Sequence, residues 1–470
     1  MSRPTTFDDT YEAFLALEDD LCPFDVVRDG VRVWELVRFE VFRQVVAAQG
    51  EWGQPHTNVQ RSGRVYLELA SLAARNLVRR NPFLGGRHDV LFWGHPRRKR
   101  LDDGYWWDVY CDPITDGLSL DALHVEPPHL NRHYTPAKTE RLRYVDAVEI
   151  LGQAGELVGA TLGRPSFDAF DDVERYLGEE FDADVRVADL AQRRLAYRRA
   201  VRPLYRRLLA SVDPELVVVV VSYAGREPFV EVCHELGITV VELQHGVIDR
   251  YQAGYSFPDW RTKETFPDYL FTFGEFWTDQ ADLPVPDDHV YAVGYPHLEA
   301  SVERYASVER RDQVVFVSTG EVGHTLSKQA VSLHERPDHD WSVAYKLHPG
   351  ESDRWREEYP WLVDSGVEVV DESGRPLHRL FAESRAQVGV YSTALYEGVR
   401  FGVETYLVDL PWMPSPPGLD GLATVVEPGD DLGTVLGSAD PAADTTRFFE
   451  PNPLSAVRRA IDDVLDRPGY

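Results

Sequence analysis

The sequence predicts an α/β protein with two doubly wound parallel sheets, preceded by a helical region. Three observations lead to this prediction. Short, continuous apolar runs bounded by glycine and proline recur along the chain, which is typical of strands that are buried on both faces. Stretches with helical periodicity separate these runs, as the crossover connections between parallel strands require. The runs fall into two series, and a charged segment at residues 299–312 divides them.

Residues 1–86 are predicted to be an N-terminal helical region. Apolar side chains at helical spacing, with arginines between them, cover residues 31–46, and a second helical stretch covers residues 65–80. Two interpretations of the first helix are open. Its aromatic residues beside arginines fit a helix that lies in a membrane interface, and the same apolar stripe fits a helix packed on the domain behind it.

Residues 87–300 and 301–470 are predicted to be the two doubly wound domains. The strands expected in the first domain are residues 90–94, 120–125, 215–222, 238–243, 269–274 and 290–296, and residues 134–210 are expected to be helical. The strands expected in the second domain are residues 313–320, 342–346, 367–371, 388–392 and 405–409, followed by a terminal helix at residues 454–465.

Charge and cysteine usage restrict the function classes. The net charge of −29, from 78 acidic and 49 basic residues with only five lysines, predicts a protein of a salt-loving organism, in which salt screens the repulsion between surface carboxylates. An ordinary acidic intracellular protein is the alternative. This charge argues against a nucleic-acid partner. The three dispersed cysteines form neither a disulfide framework nor a zinc ligand set, so no metal site is expected. The chain shows no apolar signal region and no run of ~20 apolar residues, so a cytoplasmic location is expected.

Polar residues follow several predicted strands, at the edge where parallel α/β sheets bind ligands. In the first domain Gln244, His245 and Gly246 follow the run at residues 238–243, and His95 follows the run at residues 90–94. A neutral imidazole at this edge is suited to take a proton from a hydroxyl near neutral pH. A histidine hydrogen-bonded within a turn is the alternative.

Two further clusters follow strands of the second domain. Lys346 and His348 lie on the same face of a strand, where a cation beside an imidazole suits a phosphate group; a solvated pair at a sheet edge is the alternative. Ser392 and Thr393 stand where a strand becomes a helix, a position that binds anions through free N–H groups, or that serves as an ordinary helix cap. Glu397 lies one turn further along that helix.

The same hydroxyl-glycine arrangement occurs at the first strand of the second domain, as Ser318, Thr319 and Gly320. A basic cluster at residues 97–100 is interpreted either as an acceptor-phosphate site or as a loop neutralised by neighbouring aspartates. The chain contains no Walker loop and no Gly-x-Gly-x-x-Gly motif, and Ser392 lacks the flanking glycines of a nucleophile elbow, which argues against a serine hydrolase.

The order Gln244-His245-Gly246, Lys346-Leu-His348-Pro, and Tyr-Ser392-Thr393 with Glu397 resembles capsule and surface-polysaccharide biosynthesis glycosyltransferases. It also resembles the related CDP-glycerol glycerophosphotransferases and bacterial polysialyltransferases. The resemblance implies a GT-B fold of two Rossmann-like domains that face a cleft. It implies that His245 is the base or acceptor-side catalytic group and that His348, supported by Lys346, contacts the donor.

The same resemblance implies that Ser392 and Thr393 hold donor phosphate oxygens and that Glu397 holds the ribose. The main hypothesis is therefore a metal-independent glycosyltransferase, or a sugar- or polyol-phosphate transferase. It would use a nucleotide-activated donor as substrate and no cofactor. Its acceptor would be a glycan or a lipid-linked molecule, with possible peripheral contact with the membrane. A nucleotide-sugar epimerase on the same fold and a non-catalytic glycan- or nucleotide-binding protein are the alternatives.

Overall fold

The computed structural model describes residues 6–49, 63–96, 98–101, 103–129, 131–161, 168–257, 263–320, 322–337, 340–372, 374–410, 412–437 and 445–467. Two parallel sheets organise these residues, one in each predicted domain. The described residues also include two short antiparallel pairs, Val27–Arg28 with Val31–Arg32 and Lys99–Arg100 with Trp106–Trp107.

The first sheet has seven parallel strands. They are β1 (Val90–Trp93), β2 (Ala122–Glu126), β3 (Leu142–Tyr144), β4 (Leu216–Val219), β5 (Thr239–Leu243), β6 (Tyr269–Thr272) and β7 (Val290–Ala292). Their order across the sheet is β7-β6-β5-β4-β1-β2-β3. The direction of winding reverses between β1 and β4, which is the topological switch point where doubly wound sheets open a crevice.

The second sheet has six parallel strands. They are β8 (Arg311–Val317), β9 (Ser342–Lys346), β10 (Glu368–Val370), β11 (Ser384–Gly389), β12 (Glu404–Val408) and β13 (Ala423–Val426). Their order is β10-β9-β8-β11-β12-β13, so the switch point lies between β8 and β11. This is the strand order of a nucleotide-binding doubly wound sheet.

Helices surround both sheets. They are α1 (Phe7–Leu21), α2 (Val33–Ala48), α3 (Gly63–Arg79), α4 (Asp112–Leu118), α5 (Asp146–Thr161), α6 (Asp171–Phe181), α7 (Val187–Val212), α8 (Glu227–Glu235), α9 (Pro296–Arg304), α10 (Gly323–His334), α11 (Trp355–Glu358), α12 (Leu377–Glu383), α13 (Thr393–Arg400) and α14 (Pro453–Asp466). The fold class predicted from the sequence, two doubly wound domains behind a helical extension, is confirmed.

The helical extension packs on the first domain. Helices α1 and α2 share one apolar core with α6 and the start of α7. Trp34 and Phe42 of α2 are buried in that core, and Arg38 pairs with Glu18 there at 2.7 Å. The structure therefore agrees with the packed-helix interpretation of residues 31–46, because these aromatic rings face protein. In the described part of the chain, no helix is both long and apolar enough to cross a membrane.

The end of the chain returns to the first domain. Helix α14 packs on the first sheet and on α4, with Val457 and Ile461 in the same core as Val90 and Phe92 of β1. Shortly before it, Phe448 lies in a core that combines residues of both domains and accepts a hydrogen bond from the Trp277 indole at 2.9 Å. The two domains are therefore joined by more than the single linker that precedes β8.

Two predicted regions need correction. Residues 134–210 are not helical throughout, because β3 forms at Leu142–Tyr144. Strand β13 was also missed. Each is a short strand at the edge of its sheet, and polar residues interrupt its apolar pattern. Neither segment therefore has the continuous apolar run by which the other strands are predicted.

Candidate functional site

The predicted polar clusters converge because of the strand order. In the second sheet β9, β8 and β11 are neighbours, and their ends deliver His348, Ser318 and Ser392 beside the switch point. In the first sheet the ends of β1 and β5, with β4 between them, deliver His95 and His245 beside the other switch point. The His95 and His245 rings lie 6.4 Å apart, nearly parallel at 23°.

A cleft of about 270 Å³ lies between the two domains at these strand ends. Five of the predicted site residues line it: Ser318, Lys346, His348, Ser392 and Glu397. The residues that line it from the first domain include Lys99, Arg100, Tyr110, Tyr295 and His297. The remaining predicted residues, His95, Gln244, His245, Gly246, Thr319, Gly320 and Thr393, lie outside its lining.

His245 nevertheless adjoins the cleft. Its backbone carbonyl accepts a 2.8 Å hydrogen bond from the hydroxyl of Tyr110, which lines the cleft. The N–H of Val247 donates to Thr393 Oγ1 at 3.0 Å, so the loop that carries His245 touches the first turn of α13. A Cβ atom on Gly246 would stand 3.4 Å from the same Thr393 hydroxyl, tighter than an ordinary contact. The histidine loop of one domain and the hydroxyl pair of the other are therefore direct neighbours.

Gln244 fixes the shape of this loop. Its side chain is buried, its amide nitrogen donates to the Gly246 carbonyl at 2.8 Å, and its amide oxygen accepts from the Phe273 N–H at 2.7 Å. Both the nitrogen and the oxygen of the amide are thus hydrogen-bonded to backbone groups. His95 is held in a similar way, because its N–H donates to the buried Asp108 carboxylate at 2.7 Å.

His348 follows β9 and caps a short helical turn. Its Nδ1 accepts a 3.2 Å hydrogen bond from the Gly350 N–H, and its own N–H donates to Glu351 Oε2 at 2.7 Å. An Nδ1 that accepts cannot carry the proton of a neutral imidazole, so that proton lies on Nε2. The turn therefore fixes His348 as a hydrogen-bond donor through Nε2.

Lys346, at the end of β9, donates from Nζ to the Asp371 carbonyl at 2.6 Å. Burial lowers the pKa of Lys346 to about 8, and the positive charge of Lys99 contributes to this shift. Lys99 belongs to the first domain and Lys346 to the second, and both line the cleft, so two cations approach it from different domains. Like charges held together in this way favour an anion between them.

The hydroxyl-glycine segment after β8 supports this arrangement. The Ser318 hydroxyl donates to Glu351 Oε1 at 2.9 Å and is buried, so it braces the His348 turn. Gly320 has a φ of +91°, and a Cβ there would stand 3.4 Å from His348 Nδ1. The Thr319 hydroxyl is buried and makes no hydrogen bond with the part of the chain that the structure describes.

The start of α13 is capped by Ser392. The Ser392 hydroxyl accepts from the Ala394 N–H at 3.2 Å, as a helix cap does. Glu397, one turn on, pairs with His378 Nε2 at 2.6 Å, and the His378 ring lies 5.0 Å from that of His297. Burial, with His378 and Lys99 nearby, holds the pKa of His297 well below its usual range, so this imidazole is neutral at pH 7.

The basic cluster at residues 97–100 separates into two parts, apart from Arg97, which lies outside the described residues. Arg98 is buried and paired with Glu126 at 2.8 Å and with Asp112 at 3.4 Å. Lys99 and Arg100 are exposed and line the cleft. The neutralised-loop interpretation therefore applies to Arg98, whereas Lys99 and Arg100 add positive charge to the site. Two of the five lysines of the chain, Lys99 and Lys346, line this one cleft.

Several cleft residues were missed from the sequence. His297 follows β7 and Pro296, so the strand-end rule applied to residues 290–296 would have found it. Tyr110 and His378 carry no such signal, because they lie within a loop and a helix that are distant in sequence. In the described ranges, no three His, Cys, Asp or Glu side chains are grouped so as to hold a metal ion.

No protein-family model and no curated protein sequence matches the chain. Solved structures are similar to it in fold. A UDP-GlcNAc 2-epimerase from Methanocaldococcus jannaschii is 12% identical with a TM-score of 0.47, over 80% of this chain and 99% of that one. A putative UDP-N-acetylglucosamine 2-epimerase from Listeria monocytogenes is 11% identical with a TM-score of 0.49, over 80% and 96%. The wall teichoic acid polymerase TagF is 11% identical with a TM-score of 0.40, over 91% and 92%.

Proposed function

We propose that this protein is a transferase that moves a sugar, or a sugar or polyol phosphate, from a nucleotide-activated donor to a hydroxyl of a glycan or lipid-linked acceptor. One observation supports this proposal above the others. A cleft between two switch points receives Lys346 and a helix N-terminus from the second domain and Lys99 and Arg100 from the first, and the His245 loop adjoins it. This arrangement fits two groups, the departing phosphate of the donor and the attacking hydroxyl of the acceptor.

The donor half of the reaction belongs to the second domain. A departing nucleotide carries phosphate charge, and preorganised positive groups and N–H donors stabilise that charge in the transition state. Lys346 supplies a cation, His348 an Nε2–H donor, and the first turn of α13 supplies backbone N–H groups. Lys99 and Arg100 approach the same volume from the first domain. The donor phosphate is thereby attracted locally, although the chain as a whole carries a charge of −29.

The acceptor half belongs to the first domain, with His245 as the general base. Attack by an acceptor hydroxyl needs removal of its proton, and a neutral imidazole has the basicity for this near neutral pH. Contact between the His245 loop and Thr393 places the base next to the donor-binding turn. In this proposal the reaction needs no metal ion and no cofactor, because the side chains supply both the base and the positive charge.

The test is a panel of CMP-, CDP-, UDP- and GDP-activated donors at high salt, with nucleotide release measured with and without glycan or lipid-linked acceptors. We expect acceptor-dependent release with one nucleotide. His245→Ala should abolish transfer and leave nucleotide affinity within about threefold of the native value, since the base acts on the acceptor. His324→Ala is the matched control, because His324 lies on α10 and does not line the cleft.

Two outcomes would contradict the proposal. Full turnover by the His245→Ala variant would remove the assigned base. Conversion of the donor to its C2 epimer without any acceptor would identify an epimerase instead.

A further inference from the structure

A chain of three hydrogen-bonded side chains runs from the interior of the first domain to His245. Glu242 lies in β5 and Tyr255 lies in the loop after it, and both are completely buried. The Tyr255 hydroxyl donates to Glu242 Oε1 and lies 3.2 Å from His245 Nδ1. Neither residue lines the cleft.

A buried acidic residue in a central strand lowers the stability of the fold unless a hydrogen bond or a charged partner compensates for its burial. Transfer of a carboxylate from water to a protein interior carries a desolvation penalty of several kcal/mol. Every other residue of β5 is apolar except Thr239 at its start. Glu242 is thus the one ionisable side chain of this strand, and its carboxyl is aimed at the phenol that contacts His245.

The number of protons in this chain decides its direction. Tyr255 has one hydroxyl proton and two neighbours that can accept it. The phenol donates to Glu242 Oε1, so its oxygen is left to accept from His245 Nδ1–H. A neutral His245 then carries its lone pair on Nε2, which is the atom that a general base uses.

We propose that Glu242 and Tyr255 are positioning residues that hold His245 in the Nδ1–H form, with Nε2 as the proton-accepting atom. This inference rests on the proposed function, in which His245 is the base. Neither residue touches substrate in this scheme. Tyr255 transmits the orientation, and Glu242 determines which way the Tyr255 proton points.

The charged and titratable neighbours act on the protonation of Tyr255 and Glu242. Burial raises the pKa of Tyr255 far above its usual value, so the phenol keeps its proton. Burial also raises the pKa of Glu242, while the hydrogen bond from Tyr255 and the positive charge of Lys263 oppose that shift. Arg226 is a second cation that interacts with Glu242. The groups that face His245 itself are His95, Tyr110 and Tyr223.

The first test reads the tautomer directly and needs neither donor nor acceptor. Protein labelled with ¹⁵N-histidine is examined by NMR at pH 8, and the His245 signals are identified by their loss in His245→Ala. We expect the Nδ1–H form in the native protein. In Glu242→Leu the phenol loses its second acceptor, so it donates to Nδ1 and His245 changes to the Nε2–H form. The Nε2–H form in the native protein, or no change in a folded Glu242→Leu variant, would overturn the proposal.

Tyr255→Phe keeps the proposal testable if Glu242→Leu does not fold. It removes the link without adding a donor, so His245 should become a mixture of both tautomers. Tyr223→Phe is the matched control, because this buried ring lies 6.3 Å from that of His245 and loses the same hydroxyl group. We expect the control to keep the native tautomer. A native tautomer in Tyr255→Phe would contradict the proposal.

Kinetics provide the second test once a donor is known. Glu242→Leu should lower kcat by about 100-fold or more, as expected when a base is held in the wrong tautomer, and Tyr255→Phe by about 10-fold, with KM unchanged in both. Loss of the carboxylate-linked phenol also destabilises the imidazolium form of His245. The acid limb of the pH profile of kcat in Tyr255→Phe should therefore move to lower pH. A structural defect alone would lower thermal stability without moving that limb. If no donor is turned over, the proposed function fails and the NMR result still decides the tautomer.

Discussion

The charge of Lys346 makes nucleotide binding dependent on pH in a way that the structure specifies. Burial and Lys99 lower the pKa of Lys346 to about 8 in the free protein. A bound phosphate favours the charged form, so the pKa rises in the complex. Affinity is therefore constant well below pH 8 and falls above it, by about tenfold per pH unit, until the pKa of the complex is reached. The phosphates stay fully ionised over this range, since their second pKa is about 6.

Three variants separate the contributions to this effect. Lys346→Met removes a charge-assisted contact worth about 1.5–3 kcal/mol, which corresponds to a Kd roughly 10- to 150-fold higher at pH 7. Lys346→Arg keeps a charge that does not titrate, so the decrease above pH 8 should disappear. Lys99→Met removes the opposing cation, so the decrease should begin at higher pH.

The Kd of all three variants is measured by isothermal titration calorimetry with the nucleoside diphosphate of the active donor. The titrations cover pH 6.5 to 9.5 at constant ionic strength. The reasoning is refuted if Lys346→Arg keeps the native pH dependence. It is also refuted if Lys346→Met binds within threefold of the native Kd at pH 7. An unchanged profile in Lys99→Met would show that the two cations do not share one site.

Further predictions concern stability. Gly294→Ala should lower the free energy of unfolding by about 2 kcal/mol or more in urea titrations, because Gly294 has a φ of +87° and a Cβ would stand 2.6 Å from the Glu450 carbonyl. Arg98→Met should cost about 3–5 kcal/mol by the same measurement, since it leaves Glu126 and Asp112 buried without their cation; a cost below 1 kcal/mol would contradict this. The unfolding temperature should rise between 0.1 and 2 M KCl, as screening of the −29 net charge requires, and a flat response would argue against salt adaptation.

The local pattern of the chain identifies most central strands, and the structure agrees on their positions. The runs at residues 90–94, 215–222 and 238–243 correspond to β1, β4 and β5 with ends shifted by at most three residues. Their signal is strong because strands covered by helices on both faces must be apolar along their whole length. Strands β3 and β13 escaped this rule, because a polar residue interrupts the short apolar run of each.

The site residues also divide into those that the sequence predicts and those that only the structure reveals. His245, Lys346, His348 and Ser392 lie at strand ends or within three residues of them, so a rule about strand ends is enough to select them. Tyr255 escapes any such rule because it lies in an irregular loop, 13 residues after Glu242, and only folding brings their side chains together. The sequence also does not reveal that Lys99 and Lys346 line the same cleft, since the two residues lie in different domains.

The sequence by itself therefore determined the class of the fold, the strand ends that bear polar residues, and the scarcity of lysine that makes Lys99 and Lys346 conspicuous. The tertiary structure decided the strand order, the switch points, and the pairing of one domain edge with the other. Periodicity reports only whether a segment is buried on one face or on all sides. Which strands pair depends on packing between segments that are distant along the chain, and that packing puts the base loop and the phosphate-binding turn in contact.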